Sequence, residues 1–295
     1  MNTIQTAITN NYNFLHGLNH SPSTIVSDKY NFLDTRELVN TFSAQGFNQT
    51  DFGKTSLRKP IDPTLDKLFA SYNTDQQQLL IDTYTKRLNK YNARLGHERH
   101  FLRFKSDSLP QVKGHDMFLR VSNSYDGSSS LKISLDMLRL VCLNGLVAPR
   151  SIFQFAITHR SKDIYADAIE ATYKIIAKKD ILEEQITRMS DKVLTQDEKL
   201  LLVDNMLKFR FDDKDIVLSE QQKLKLLVPI RKEEQVDNLY QNFNTVQEKL
   251  TKGTRMGLLD ANGKPIEMKV REVKSIVTAD SFNNQSWEYA YSLVA

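Results

Sequence analysis

Residues 117–135, MFLRVSNSYDGSSSLKISL, contain the pattern from which the fold is predicted. Its two ends, residues 117–121 and 131–135, are rich in apolar side chains, and each predicts a β-strand. Between them, Asp126 and Gly127 tolerate the positive φ angles that a tight hairpin turn requires. The stretch therefore predicts two strands joined by a turn, at the centre of an antiparallel sheet.

The segments on either side of this hairpin extend the sheet and then give way to helices. Residues 101–104 and 153–157 predict further strands, and residues 47–58 predict one more. Leu38, Val39 and Phe42 fall on one face of a short helix that ends at Gly46. Helices are also predicted at 64–95 (two, with a boundary near 73–75), 164–176, 180–192, 196–209, 219–228, 233–252 and 279–294.

These elements predict an α+β fold with a central antiparallel sheet at about residues 100–160, helices before it and a mostly helical C-terminal half. An OB-fold is not expected, because its five short strands would fill most of the chain. The predicted organisation is an irregular N-terminal arm at 1–30 and a single α+β domain at 31–295. Within that domain we expect a helical insert at 60–96, the sheet at 97–160 and the helical part at 161–295.

Composition narrows the class of protein. The 295 residues are 40% hydrophobic and 26% charged, which is ordinary for a globular protein, and the net charge is +4. Cys142 is the single cysteine, so neither an intrachain disulfide nor a cysteine-zinc site is possible. The N-terminus does not read as a signal peptide, and no apolar run reaches the roughly 18 residues of a membrane span. We expect a cytoplasmic protein, in a bacterium or an infected host.

Three motifs around the predicted sheet resemble those of a known family. They are residues 121–131 with the Asn-Ser-x-Asp-Gly turn, residues 137–147 with the Arg-x-Val-Cys-x-Asn-Gly segment, and the Thr-His-Arg sequence at residues 158–160. Together they resemble a phage- and plasmid-related protein family of unknown function, over roughly residues 97–292. The resemblance implies a mobile-element setting and names no reaction or cofactor. Relative to the family pattern, residues 60–96 look like an added helical insert.

The most informative candidate site is the basic stretch from Tyr84 to Lys105, which holds seven cations against one acid, Glu98. Lysine and arginine neutralise phosphates, and interleaved aromatic rings stack on unpaired bases. The alternative is a solvated helix face with Tyr84 and Tyr91 in the core. The predicted nucleic-acid-binding residues here are Lys86, Arg87, Lys90, Tyr91, Arg94, Arg99, Arg103 and Lys105.

Further cations lie near the motifs and towards the C-terminus. Arg139 and Arg160 are predicted to contact phosphate. A basic segment at residues 253–271, with Lys252 directly before it and Arg255 within it, predicts either a hairpin that closes over a ligand or an ordinary solvated loop. Trp287 and Tyr291, four residues apart, are predicted to serve the core or an oligomer contact.

Two enzymatic interpretations compete with these. A nuclease would use Asp126 as a metal ligand and His159 as a general base, but such chemistry usually needs several carboxylates, and the hairpin explains Asp126 without chemistry. A Cys142–His159 hydrolase is disfavoured, because Cys142 lies in an apolar run typical of a buried thiol. No Gly-rich phosphate loop or hydrolase motif occurs, and no catalytic residue, metal or cofactor is predicted.

The sequence therefore favours a single-stranded DNA-binding protein of a phage or mobile element, acting in replication, recombination or phage-directed transcription. The absence of helix-turn-helix, zinc-finger and basic-zipper patterns favours single strands over duplex. The candidate partners are single-stranded DNA, phage or host RNA polymerase or replication proteins, and further copies of this chain in a homo-oligomer. The alternatives are an anti-defence or partner-binding protein that acts through protein contacts, and a metal-dependent nuclease.

Overall fold

The chain forms two compact units, and each is described by itself. A computed structural model describes residues 15, 17–109, 111–112, 115–139, 145–147, 153–211, 218–229, 236–259, 265–273 and 275–294. The first unit comprises residues 1–105, 120–133 and 156–170. The second comprises residues 106–119, 134–155 and 171–295. None of the described helices is long and apolar enough to cross a bilayer.

The principal sheet confirms the α+β prediction. Its strands are β1 (Asn48–Lys54), β2 (His100–Lys105), β3 (Gln111–Val112), β4 (His115–Asn123), β5 (Leu131–Arg139), β6 (Gly145–Val147) and β7 (Gln154–Ile157). The order is β1-β2-β4-β5-β6, with β3 on β4 and β7 on β5. The pairs β1–β2, β3–β4 and β5–β6 are antiparallel. The predicted hairpin at 117–135 thus supplies the two central strands.

The first unit has its core between helix α1 (Thr35–Ala44) and the sheet. Asp34 begins α1 by accepting a hydrogen bond from the backbone N–H of Arg36. Burial alternates along β2, so that His100, Leu102 and Phe104 are buried while the residues between them are partly exposed. The Phe104 ring stacks on Phe42 of α1 with their centroids 4.9 Å apart. The predicted helix at the start of this unit is therefore confirmed.

The helical C-terminal half is also confirmed. Its helices are α3 (Ile164–Ile176), α4 (Lys179–Asp191), α5 (Gln196–Phe211), α6 (Glu220–Leu227), α7 (Leu239–Lys252) and α8 (Ile276–Ser292). Trp287 of α8 is 1% exposed and packs edge-on against Phe243 of α7, with ring centroids 5.7 Å apart. The indole N–H of Trp287 donates to Gln185 of α4 at 3.2 Å. The prediction that Trp287 serves the core is correct.

The segment before residue 74 differs from the prediction. The first of the two helices predicted at 64–95 is instead a pair of short 3₁₀ turns, Pro63–Leu65 and Phe69–Ser71. Asp62 and Asp66 each accept a hydrogen bond from a backbone N–H two residues later. Such local bonds compete with the helical pattern, because they hold the backbone in turns.

The basic C-terminal segment forms a hairpin rather than a solvated loop. Strand β8 (Thr254–Leu259) pairs antiparallel with β9 (Pro265–Val270) as a separate two-stranded sheet. Gly253 precedes the hairpin at φ 93°, where a Cβ would lie 2.7 Å from the carbonyl oxygen of Val270. The close approach of the two backbones therefore requires glycine at this position.

Candidate nucleic-acid interface

The candidate interface is built on helix α2 (Thr74–Arg94), which carries most of the predicted basic stretch. Asn73 and Gln76 form a capping box at its start, and Asp75 and Arg94 complement the helix dipole at its two ends. None of its 21 residues is buried. A helix held by its caps and by half-buried side chains leaves much of its surface accessible to a ligand.

A groove of about 510 Å³ runs between α2 and the preceding segment, residues 57–63. Five cations line it, Arg58 and Lys59 from the segment and Arg87, Lys90 and Arg94 from the helix. None of the described residues that line it is acidic. The rest of the lining is apolar or aromatic apart from Thr83: Leu57, Pro60, Ile61, Pro63, Leu80, Tyr84 and Tyr91. We call this feature the α2 groove.

Helical periodicity explains why tyrosines and cations share the α2 groove. Tyr84, Arg87, Tyr91 and Arg94 are three or four residues apart, so they lie along one face of the helix. Tyr84 and Tyr91 are both partly exposed. The alternative that placed these two tyrosines in the core is therefore wrong, and their rings are accessible from the groove.

The structure brings together some of the predicted residues and separates the others. Arg87, Lys90, Tyr91 and Arg94 line the α2 groove. Lys86 is exposed on the same helix but does not line it. Residues Arg99, Arg103 and Lys105 lie on or just before β2, also outside the groove lining. The basic stretch is thus one segment in sequence but two surfaces in space, because the chain changes from helix to strand at residues 95–99.

Two arginines of the stretch are paired with carboxylates. The Arg94 Nε atom lies 2.6 Å from Asp126 Oδ2, and the Asp126 side chain is fully buried. The Arg103 Nη1 atom lies 2.6 Å from Asp51 Oδ2, where the Asp51 side chain is 47% exposed. The guanidinium of Arg103 also lies 5.0 Å from the centre of the Phe101 ring. The Arg103 side chain is therefore held by its ion pair with Asp51 outside the groove lining. The Arg94 side chain is held by its ion pair with Asp126 but still lines the groove.

Asp126 belongs to the Asn-Ser-x-Asp-Gly turn, and the structure gives this motif a structural role. The Asp126 Oδ1 atom accepts the backbone N–H of Ser128 at 2.9 Å, and Gly127 has φ 68°. Burial opposes the charged form of Asp126, but hydrogen bonds from Ser128 and Arg94 outweigh it, and the pKa of this carboxyl lies below its ordinary value. Asp126 is therefore a fixed negative charge at neutral pH.

The neighbouring Tyr125 ties the turn to the core of the first unit. Its hydroxyl donates to Thr35 Oγ1 at 2.6 Å and accepts the backbone N–H of Thr35 at 2.8 Å. The Thr35 Oγ1 atom also lies 2.8 Å from Nε2 of His100, which is fully buried. Burial lowers the pKa of His100 to about 4, so its ring is neutral at pH 7. The motif thus connects the turn to α1 and β2 by hydrogen bonds.

His159, Arg160 and Asp126 line a second pocket of about 450 Å³ in the first unit. The His159 ring stacks on Tyr30 at 4.4 Å, and its Nδ1 atom lies 3.1 Å from the carbonyl oxygen of Asn31. Burial lowers the pKa of His159. Although both residues of the nuclease interpretation reach this pocket, the Asp126 side chain is fully buried and already accepts hydrogen bonds from Arg94 and Ser128.

Among the described residues, no three His, Cys, Asp or Glu side chains come together in a way that could hold a metal ion.

The other predicted basic residues that the structure describes lie outside the α2 groove lining. Lys252 and Arg255 belong to the second unit, where they line a groove of about 610 Å³ at the base of the β8–β9 hairpin. Lys252 is paired there with Glu248 at 3.1 Å. The side chain of Arg139 and the residue Cys142 lie outside the described part of the chain.

Sequence reasoning missed two cations of the α2 groove, Arg58 and Lys59. Both are exposed and face α2 from the opposite side of the groove. The sequence signal is weak, since it consists of one basic pair directly before Pro60. Only the packing of this segment beside α2 gives the pair its place in the groove.

Comparison with known proteins identifies relatives along most of the chain. The family model described as Domain of unknown function (DUF932) matches residues 70–287, a range that includes α2. Two curated relatives in Escherichia coli (strain K12) are the UPF0380 proteins YafZ and YfjQ. Each is 24% identical over 269 residues, which cover 91% of this chain and 84% of the relative. No solved structure matches the chain significantly. The family resemblance predicted from the three motifs is confirmed, and the chain belongs to the DUF932 family.

Proposed function

We propose that this protein binds single-stranded DNA in the α2 groove, as a factor of phage or mobile-element replication, recombination or phage-directed transcription. The observation that supports the proposal is the composition of the groove. Five cations and two partly exposed tyrosines line it, without an acidic residue among its described lining. Phosphates and unpaired bases are the two ligand groups that such a lining suits.

Electrostatics supports a polyanion as the ligand. Each phosphate that a cation neutralises releases condensed counterions, so affinity falls as the salt concentration rises. Arg87, Lys90, Arg58 and Lys59 are all exposed. Arg94 shares its charge with Asp126, so we assign most of the electrostatic attraction to the other four.

The tyrosines favour single strands over duplex. The rings of Tyr84 and Tyr91 face the same groove as the cations. A base can stack on such a ring only when it is not already stacked and paired in a duplex. The helix from Leu80 to Arg94 is about 21 Å long. With about 3.4 Å of rise per stacked nucleotide, this length accommodates roughly six nucleotides.

A competition experiment tests this proposal directly. Labelled single-stranded oligonucleotides and duplexes are titrated by fluorescence anisotropy from 50 to 200 mM salt, against the full chain and two variants. We expect Arg87→Ala/Lys90→Ala to bind about tenfold or more weakly, a loss of about 1.4 kcal/mol. Its salt slope should be flatter by about 1.4, because two phosphate contacts are lost.

The matched control is Lys208→Ala/Lys225→Ala, which removes two charges from exposed positions of the second unit. Its affinity should stay within about twofold of the unmodified chain. Unchanged affinity and slope in Arg87→Ala/Lys90→Ala would remove the α2 groove from the proposal. Equal affinity for duplex and single strands would remove the role of the tyrosines.

A second candidate function, binding of a protein partner, is favoured by apolar residues around the start of α2. Ile61 is 81% exposed, Leu65 78%, Leu68 60% and Leu79 67%. Exposed apolar side chains in one region are typical of protein interaction surfaces. A pull-down from host lysate that survives nuclease treatment, and that Leu65→Ser/Leu68→Ser abolishes, would favour this candidate over DNA.

A further inference from the structure

Arg94 is both the last residue of α2 and part of the groove lining. Its side chain is 28% exposed, whereas the side chain of its partner Asp126 is fully buried. Among the described residues, Asp126 alone accepts a hydrogen bond from the Arg94 side chain, and the bond uses Nε. The two terminal amino groups of the guanidinium are therefore available to a second acceptor.

Asp126 is a rigid anchor for this contact. Its other carboxylate oxygen accepts the backbone N–H of Ser128 at 2.9 Å. The backbone directly before Asp126 is fixed as well, since the Tyr125 N–H donates to the carbonyl oxygen of His97 at 3.0 Å. A planar guanidinium held at Nε by a fixed carboxylate has a defined orientation.

We propose that Asp126 is a positioning residue, which holds the Arg94 guanidinium so that its terminal amino groups bind a phosphate at the end of the α2 groove. This inference rests on the proposed function. It gives the aspartate of the Asn-Ser-x-Asp-Gly motif a role in binding that is neither metal coordination nor turn formation alone. Positioning reduces the entropic cost of binding, because the arginine is ordered before the ligand arrives.

The proposal predicts an effect opposite in sign to simple electrostatics. Asp126→Asn removes a negative charge near the groove, which by charge alone should strengthen the binding of a polyanion. If Asp126 positions Arg94, the same variant should instead weaken binding, on the order of fivefold, because the guanidinium loses its charge-assisted anchor. Asp51→Asn is the matched control, since it removes the carboxylate partner of Arg103 outside the groove lining. We expect Asp51→Asn to bind as tightly as the unmodified chain or slightly more tightly.

A double-mutant cycle shows whether Asp126 acts through Arg94. Full-length Arg94→Ala, Asp126→Asn and the double variant are titrated with a single-stranded oligonucleotide, and thermal unfolding confirms that each is folded at the assay temperature. We expect the double variant to bind no more weakly than Arg94→Ala, because the two residues act on one contact. Additive losses, or tighter binding by Asp126→Asn, would overturn the proposal.

Arg94→Lys keeps the test valid if Asp126→Asn does not fold. Lysine retains the charge but lacks both Nε and the planar fork, so affinity should fall nearly as far as in Arg94→Ala. Affinity equal to that of the unmodified chain would overturn the proposal. If the unmodified chain binds no oligonucleotide, the proposed function fails together with this inference. If Arg87→Ala/Lys90→Ala weakens binding but the Arg94 and Asp126 variants do not, the inference alone fails.

Discussion

Helices α7 and α2 use similar residue types in opposite ways. In α7, ten of the 14 residues are buried, including Leu239, Phe243, Val246 and Leu250. In α2, none of the 21 residues is buried, although it contains leucines and tyrosines at helical spacing. An amphipathic pattern therefore predicts a helix but not which segments cover its apolar face. We therefore expect changes in α7 and its neighbours to affect stability, and changes in α2 to affect binding.

The largest effect should come from the core around α7. Trp287→Ala removes the side chain that packs on Phe243 and donates to Gln185, and we expect it to lower the free energy of unfolding by about 3–5 kcal/mol. Urea unfolding followed by circular dichroism measures this loss. Leu201→Ala, at a position 52% exposed on α5, is the control and should change stability by about 0.5 kcal/mol or less. Weaker oligonucleotide binding by the folded Trp287→Ala variant would contradict the division between the two helices.

The next effect concerns the core of the first unit. His100 has a pKa of about 4 in the folded chain, because burial disfavours its charged form. Below its ordinary pKa of 6.5 the unfolded chain takes up a proton that the folded chain does not take up until about pH 4. The free energy of unfolding is therefore unaffected by the titration of His100 above about pH 6.5. It falls by up to roughly 3 kcal/mol as the pH decreases from 6.5 to 4, because only the unfolded chain is protonated at this residue there.

The measurement is the free energy of unfolding at pH 7 and at pH 4, for the unmodified chain and for His100→Asn. The variant should be less stable at pH 7, since it loses the contact with Thr35, but it should lose less stability on acidification. An equal loss in both proteins would show that His100 does not cause the acid sensitivity of this unit.

A smaller effect is expected at the tyrosines of α2. Tyr91→Ala should weaken single-strand binding by about 1–3 kcal/mol if one base stacks on the ring. Tyr91→Phe keeps the ring and should bind nearly as well as the unmodified chain. Anisotropy titrations of both variants at a single salt concentration give the comparison. A similar loss in both would point to the hydroxyl rather than to stacking.

The smallest effects distinguish the two sides of α2. Arg58→Ala/Lys59→Ala removes the cations opposite the helix, and we expect about tenfold weaker binding, or about 1.4 kcal/mol. Lys86→Ala, outside the groove lining, should change affinity by less than about twofold. The reverse order would place the ligand on the Lys86 side of the helix and not in the α2 groove.

Local patterns predicted much of the fold. The Asp126-Gly127 turn predicted the central hairpin, and apolar spacing predicted the helices from α3 to α8 to within a few residues, except that α7 begins at Leu239, six residues later than predicted. The prediction was wrong at residues 64–73, where Asp62 and Asp66 stabilise 3₁₀ turns through local hydrogen bonds. The energy difference between these hydrogen-bonded turns and a helix is small, and apolar spacing does not reveal it.

The candidate site was predicted in part. Arg87, Lys90, Tyr91 and Arg94 share one helix face, so periodicity alone brought them together. Arg99 and Arg103 were grouped with them because they are near in sequence, but they lie outside the groove lining. Arg58 and Lys59 were missed, because they reach the groove only when residues 57–63 lie beside α2.

Local sequence patterns were sufficient to predict the α+β class, the central hairpin, the family and the cationic face of α2. These depend on turn chemistry and on periodicity, which act over a few neighbouring residues. Two features became clear only from the packed chain: Asp126 anchors Arg94 across 32 residues, and α2 remains unburied while α7 forms a core. Burial and ion pairing depend on which distant segments pack together, and no local pattern specifies that choice.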